Sequence, residues 1–247
     1  MSESGTRPNP ARTEREPAPA SPLLLGLETS GQETALALVQ DDATIASVRE
    51  PTQARHNEAI FGLLSRLFAS IGRKAGELSG IGVSIGPGMF TSLRVGLSVA
   101  KGLALSFGIP LKGINTLDGL ALTARRQYPE LSDRLPLLPL IDARKGEVYC
   151  ASYLGVERQT DFQVIAPEKL AGLVPGAVAV CGSGVRPYRS TIESAFGPRA
   201  QLIELDYPSA EIIAGQTWRL LRRDGPDLLE SLTPLYLRRT DAELKRA

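Results

Sequence analysis

The chain has 247 residues, 43% hydrophobic and 22% charged, with 28 basic against 27 acidic side chains and a formal charge of +1. It is long enough to bury a sizeable core without disulfide staples, and too near neutrality to hold nucleic acid by net charge alone. Its single histidine, His56, and two distant cysteines, Cys150 and Cys181, cannot build a His-x-x-x-His metal site or a Cys/His zinc cluster. Both cysteines fall in apolar, strand-like runs, which argues against a disulfide framework and for a reducing compartment, so a cytoplasmic location is expected.

Residues 1–22 hold five prolines, three arginines, three glutamates and no apolar run. Such a stretch cannot offset its ordering entropy by burial and reads as a disordered tail; without an apolar central region it is no secretory signal. Ordered sequence begins with an apolar run at 23–28, ending in Glu28, followed by the polar turn Thr29-Ser30-Gly31-Gln32. Returning strands at 33–39 and, after Asp41-Asp42, at 44–49 complete an antiparallel meander. Beyond Pro51 the period changes. Ile60, Leu63, Leu64, Leu67, Phe68 and Ile71 lie on one helical face, with Gly72 as C-cap. Phe61 and Gly62 stand outside that stripe and leave a second face with apolar content. A strand at 80–85 ends in Gly86-Pro87-Gly88, a helix spans about 90–107 before Gly108, and a short strand follows at 111–114.

The second half repeats the theme. Residues 137–149 read as strand, acid (Asp142), glycine turn and returning strand, as 23–38 do around Glu28. A strand at 177–181, the turn Gly182-Ser183-Gly184, a helix at 188–196, a strand at 201–205 and a helix at 209–223 complete the chain. Two hairpin-plus-α/β halves in tandem predict two similar lobes facing each other.

Gly86-Pro87-Gly88-Met89-Phe90-Thr91-Ser92 joins a strand to a helix N-terminus, where free N–H groups could hold an anion. The same loop also reads as a tight turn with Thr91 or Ser92 capping the helix. It lacks the lysine of a P-loop and the third glycine of a dinucleotide fingerprint. Glu28 and Asp142 could serve as bases or magnesium ligands between the lobes, or simply accept turn N–H groups. Gly86, Gly88, Gly182 and Gly184 are the accompanying candidates for cofactor binding. No Gly-x-Ser-x-Gly elbow supports a serine hydrolase. Ser92, Gly96, Ala100 and Ala104 recur every four residues and make a groove of small side chains that lets a neighbouring helix approach.

Taken together, residues 24–30, Arg55-His56-Asn57-Glu58, Gly86-Pro87-Gly88-Met89-Phe90-Thr91-Ser92-Leu93-Arg94-Val95-Gly96, Ile114-Asn115-Thr116-Leu117-Asp118, Ile141-Asp142-Ala143-Arg144-Lys145-Gly146-Glu147-Val148-Tyr149 and Pro234-Leu235-Tyr236-Leu237-Arg238 resemble the TsaB (YeaZ) family. Met89, Ser92 and Glu28 depart from its usual serine, glycine and aspartate. The resemblance implies an α/β fold of two tandem actin-like, Hsp70-like lobes of the RNase H-like (ASKHA) kind, each a mixed sheet with helices. The lobes would span 23–115 and 116–238, with a C-terminal tail at 239–247.

The resemblance further implies a non-catalytic scaffold subunit that pairs with and activates a TsaD-like transferase in making N6-threonylcarbamoyladenosine at position 37 of tRNA. The TsaE-like ATPase would join them, tRNA would be reached through the complex, and no membrane is involved. In this family the catalytic relative carries the His-x-x-x-His metal site that this chain lacks, so no catalytic or metal-binding residue is expected here. The family's intersubunit contact implies the first two helices, with Ile60, Leu63, Leu64, Leu67, Phe68, Ser92, Gly96, Ala100 and Ala104 as contact residues. A homodimer of the isolated chain is another use of the same face. No cofactor is expected in this subunit. ATP with magnesium belongs to the alternative, an actin-like-fold ATPase or sugar kinase that uses Asp142 and a glycine-rich loop.

Overall fold

A computed structural model describes residues 21–51 and 56–237. The expected C-terminal tail, the side chain of His56 and all but the end of the expected N-terminal tail lie outside the described residues.

The first sheet grows from β1 (Leu23–Glu28), β2 (Glu33–Gln40) and β3 (Ala43–Pro51), an antiparallel meander with β2 between its neighbours. Asp41 and Asp42, with φ of 52° and 60°, form the two-residue turn between β2 and β3, the left-handed pair that suits the twist of a hairpin. β4 (Gly80–Gly86) and β5 (Leu111–Asn115) then add in parallel beyond β1, giving the order β3-β2-β1-β4-β5. Helices α1 (His56–Ile71) and α2 (Phe90–Phe107) connect these strands. Gly72 and Gly108, both left-handed, end the two helices as the sequence predicts.

β1 alternates its faces. Leu23, Leu25 and Leu27 share a buried cluster with Ile60, Leu63, Leu67, Leu97 and Ala100 from α1 and α2, while Leu24 packs with Val39 and Ala214 on the other side. A period of two on a strand meets a period of 3.6 on the helices, and each apolar stripe is thereby removed from water.

After helix α3 (Thr116–Gln127) come β6 (Leu137–Arg144), β7 (Glu147–Cys150), the short β8 (Tyr153–Leu154) and β9 (Glu157–Arg158), β10 (Gln163–Ile165), β11 (Val178–Cys181), helix α4 (Arg189–Phe196), β12 (Ala200–Leu202) and helix α5 (Ala210–Asp224). The second sheet runs β10-β7-β6-β11-β12. This is the first sheet's order again: the meander's first strand lies inside, and the two later strands join parallel to it. The internal repeat legible around Glu28 and Asp142 is thus a repeat of topology.

The sequence gives no warning of α3. Its N-terminus is fixed by Asn115, whose side chain accepts from the N–H groups of Leu117 and Asp118. Leu117, Leu120, Ala121 and Ala124 of α3 pack with Leu137, Ile141, Ala179 and Cys181 of the second sheet.

The last helix corrects the division of the chain at residue 116. α5 lies on β1, β2 and β4 of the first sheet, although it follows the second. Two glycines make this possible. A Cβ on Gly26 would stand 2.1 Å from the Ala210 carbonyl oxygen, and one on Gly82 would stand 2.0 Å from Thr217 Oγ1. α5 therefore sits almost on the sheet backbone. The chain crosses from the first half to the second sheet at α3 and back to the first sheet at α5.

Candidate functional site

Glu28, at the end of β1, is 3% exposed. Its Oε1 accepts from the Ser30 N–H at 2.6 Å and from the Ser30 hydroxyl, and its Oε2 accepts from the Ser84 hydroxyl on β4. Burial raises its pKa above the ordinary carboxylate value, against the opposing effect of those Ser30 and Ser84 hydrogen bonds. Both oxygens are thus occupied by turn and strand donors, the second of the two roles its position allows.

Asp142 occupies the matching place near the end of β6. The following turn holds Arg144, Lys145 and Gly146 at positive φ, and Asp142 Oδ1 accepts from the Arg144 N–H at 2.8 Å and from the Tyr188 hydroxyl at 3.4 Å. The Arg144 guanidinium also pairs with Oδ2 at 3.2 Å. From the turn after β11, Ser183 Oγ accepts the Asp142 N–H at 3.3 Å. Gly182 and Gly184 of that turn pack on β6, where their Cβ atoms would lie 2.0 Å from the Leu140 carbonyl oxygen and 3.0 Å from Leu140 Cβ. Tyr207, in the connection before α5, lays its ring against Gly31 of the β1–β2 turn and turns its phenol toward Ser183. No sequence signal marks Tyr207.

The loop Gly86-Pro87-Gly88 closes on its own chain. Gly88 packs on Ser30, whose carbonyl accepts the Met89 N–H at 2.8 Å. Gly86, at φ +114°, lies 3.0 Å by its Cβ position from the Leu235 carbonyl oxygen. Neither Thr91 nor Ser92 caps α2: the N-cap is Met89, without a side-chain hydrogen bond, which corrects that expectation. Just beyond, Arg94 lies over the Phe90 ring at 3.8 Å and donates from Nε to the Tyr236 hydroxyl at 2.8 Å. The Phe90 and Tyr236 rings are 5.2 Å apart. This stack, built across 142 residues of sequence, was invisible to periodicity.

The helix faces require a larger correction. Ile60, Leu63, Leu64, Leu67, Phe68, Ala100 and Ala104 are buried in the lobe's own core, and Ser92 is buried with them. A Cβ on Gly96 would fall 2.1 Å from Thr29 Oγ1, so the small-residue groove is closed by the β1–β2 turn and not by a partner. The apolar period marked the inward face because that face makes the core. Outward, α1 presents Phe61 at 55% exposure with Gly62, Ser65 and Ala69, and α2 presents Ser98, Gly102 and Leu105 at 75%. Nothing stands within 4 Å of a Cβ placed on Gly62 or Gly102. The second apolar face read from Phe61 and Gly62 is thus open to a partner.

Burial pushes the Cys150 and Cys181 thiols up to about 12, so both are protonated, inert core groups at neutral pH. Among the described residues no three of His, Cys, Asp or Glu are grouped to hold a metal ion. None of the described helices is long and apolar enough to cross a membrane.

Residues 18–184 match the family model described as TsaD, tRNA N6-adenosine threonylcarbamoyltransferase. The chain is 31% identical over 130 residues to the tRNA threonylcarbamoyladenosine biosynthesis protein TsaB of Escherichia coli, covering 53% of this chain and 54% of that protein. The Bacillus subtilis TsaB matches with the same identity and coverage. The chain thus spans about half the length of these curated relatives. The solved YeaZ of Pseudomonas aeruginosa superposes with a TM-score of 0.73 at 26% identity, over 87% of this chain and 100% of that one. With the repeated sheet order, that likeness makes the fold the actin-like α/β pair of lobes.

Proposed function

This chain belongs to the family of the TsaD model, and within it to the TsaB (YeaZ) group; on that premise we propose that it is a non-catalytic scaffold subunit in the making of N6-threonylcarbamoyladenosine at position 37 of tRNA. It pairs with a TsaD-like transferase subunit and activates it, with a TsaE-like ATPase joining the pair. One observation carries the pairing: the outer faces of α1 and α2 expose Phe61 and Leu105 beside the open glycines Gly62 and Gly102, while their inner faces are spent on the core. Large apolar side chains next to residues without side-chain bulk let a second pair of helices approach closely and bury area. The contact residues are therefore Phe61, Gly62, Ser65, Ala69, Ser98, Gly102 and Leu105, in place of the inward set.

Three contacts speak against a magnesium nucleotide at the hairpin tips. Glu28 is filled by Ser30 and Ser84, the glycines after β11 rest on Leu140, and the Tyr207 ring lies on Gly31 of the first tip. These contacts support the scaffold reading over the ATPase or sugar-kinase one, and no chemical step is assigned to this chain.

Reconstitution tests the role. The cognate TsaD-like and TsaE-like subunits, supplied with tRNA, ATP and the threonylcarbamoyl donor, are expected to modify the tRNA only when this chain is added, and this chain alone is expected to modify none. Full modification without it would overturn the reading. Saturable, magnesium-dependent ATP binding by this chain alone, lost in Asp142→Ala, would establish the kinase-like alternative instead.

A further inference from the structure

Residues 205–209, which lead from β12 to α5, are the connection by which the chain returns from the second sheet to the first, and they are fastened to the turn after β11, to α3 and to the β1–β2 turn. The Leu205 and Asp206 carbonyls accept from the N–H groups of Gly182 and Ser183, at 2.6 and 3.0 Å. Pro208 packs against Gly119 of α3. The Ser209 N–H donates to Thr123 Oγ1 of α3 at 3.0 Å, and the Ser209 side chain caps α5. Tyr207 alone reaches across to the first lobe. A Cβ on Gly31 would lie 2.5 Å from Cδ2 and Cε2 of its ring, so the ring rests flush on the β1–β2 turn. At its other end the phenol is turned toward Ser183 of the second lobe, whose N–H the adjacent Asp206 carbonyl accepts at 3.0 Å.

We infer that Tyr207 is a fixed bolt between the two lobes, holding the β1–β2 turn of the first and the Ser183 turn of the second at one separation. A planar ring seated on a glycine, in a chain whose adjacent Asp206 carbonyl holds the Ser183 N–H, leaves neither lobe free to turn about the α3 and α5 crossings without breaking one of the two contacts. The outer faces of α1 and α2 are then part of one rigid body. The inference is independent of the proposed pairing and would stand for a chain that pairs with nothing.

Hydrogen exchange read by mass spectrometry on the full chain tests it. The reporting amides are those of Ser30 and Met89 on the first side, and of Gly182 and Ser183 on the second. Tyr207→Ala is expected to speed exchange roughly tenfold at both sets while leaving the cores of β1 and β6 protected as before. Tyr207→Phe keeps the ring and loses the hydroxyl, so it is expected to speed exchange only at Gly182 and Ser183. Wild-type exchange in Tyr207→Ala, or acceleration spread equally into β1 and β6, would overturn the bolt. Should Tyr207→Ala not fold, the one-sided response of Tyr207→Phe decides, and its absence overturns the inference.

Discussion

A buried carboxylate that is fully hydrogen-bonded still carries the cost of desolvating its charge, and Glu28 shows the sign of that cost. Its folded-state pKa is raised by burial, with Ser30 and Ser84 pulling the other way. A carboxyl whose pKa is higher folded than unfolded contributes stability below its unfolded value, near 4.5, and loses it as pH rises through the folded value. Glu28→Gln removes that titration while keeping the shape. The wild-type melting temperature is therefore expected to fall relative to that of Glu28→Gln as pH rises above 4.5. Thermal melts in matched buffers check this, and parallel curves would show that Glu28 has no net titration on unfolding.

Two glycines of α2, six residues apart, should respond oppositely to one substitution. Gly102 faces open space, so Gly102→Ala is expected to stabilise by about 0.5–1 kcal/mol through helix propensity. At Gly96 the new methyl would overlap Thr29, and Gly96→Ala is expected to cost about 1–3 kcal/mol by overpacking. Urea denaturation of both variants measures the pair, and like signs would refute the assignment of faces.

At the edge of the first sheet, Asp227 takes the place of a further strand. Its N–H donates to the Leu111 carbonyl at 3.0 Å, its Oδ2 accepts from the Gly113 N–H at 2.7 Å, and its Oδ1 pairs with Lys112 at 2.8 Å. Asp227→Ala leaves a strand N–H and a largely buried lysine without that acceptor, and is expected to cost about 1–3 kcal/mol in the same urea measurement.

The elements also show what the sequence can and cannot say. α1, α2 and β1 are legible because local apolar period alone decides which face is buried. α3 is not, because Thr123, Arg125 and Arg126 blur its stripe and its start depends on one capping asparagine. The inward and outward faces of α2 could not be told apart for a different reason. Gly96 and Gly102 look alike in sequence, and only Thr29, 67 positions before Gly96, distinguishes them. Glu28 and Asp142 lie at matching hairpin ends, yet their partners Ser84, Ser183 and Tyr188 come from distant segments that no spacing rule connects.

Over the whole molecule, the repeat of sheet order gives two lobes of one design, and the crossings at α3 and α5 tie them together. With the inner helix faces committed to the core, the outer face of α1 and α2 is the surface that the proposed pairing uses. The most direct measurement is size-exclusion chromatography with light scattering on this chain mixed with the proposed TsaD-like partner, comparing wild type with Leu105→Asp. Because Leu105 is 75% exposed, the charge should leave the fold intact, which circular dichroism checks. A stoichiometric heterodimer for the wild type and separate peaks for a folded Leu105→Asp are expected. An unaltered heterodimer from Leu105→Asp, or no heterodimer from the wild type, would contradict the account.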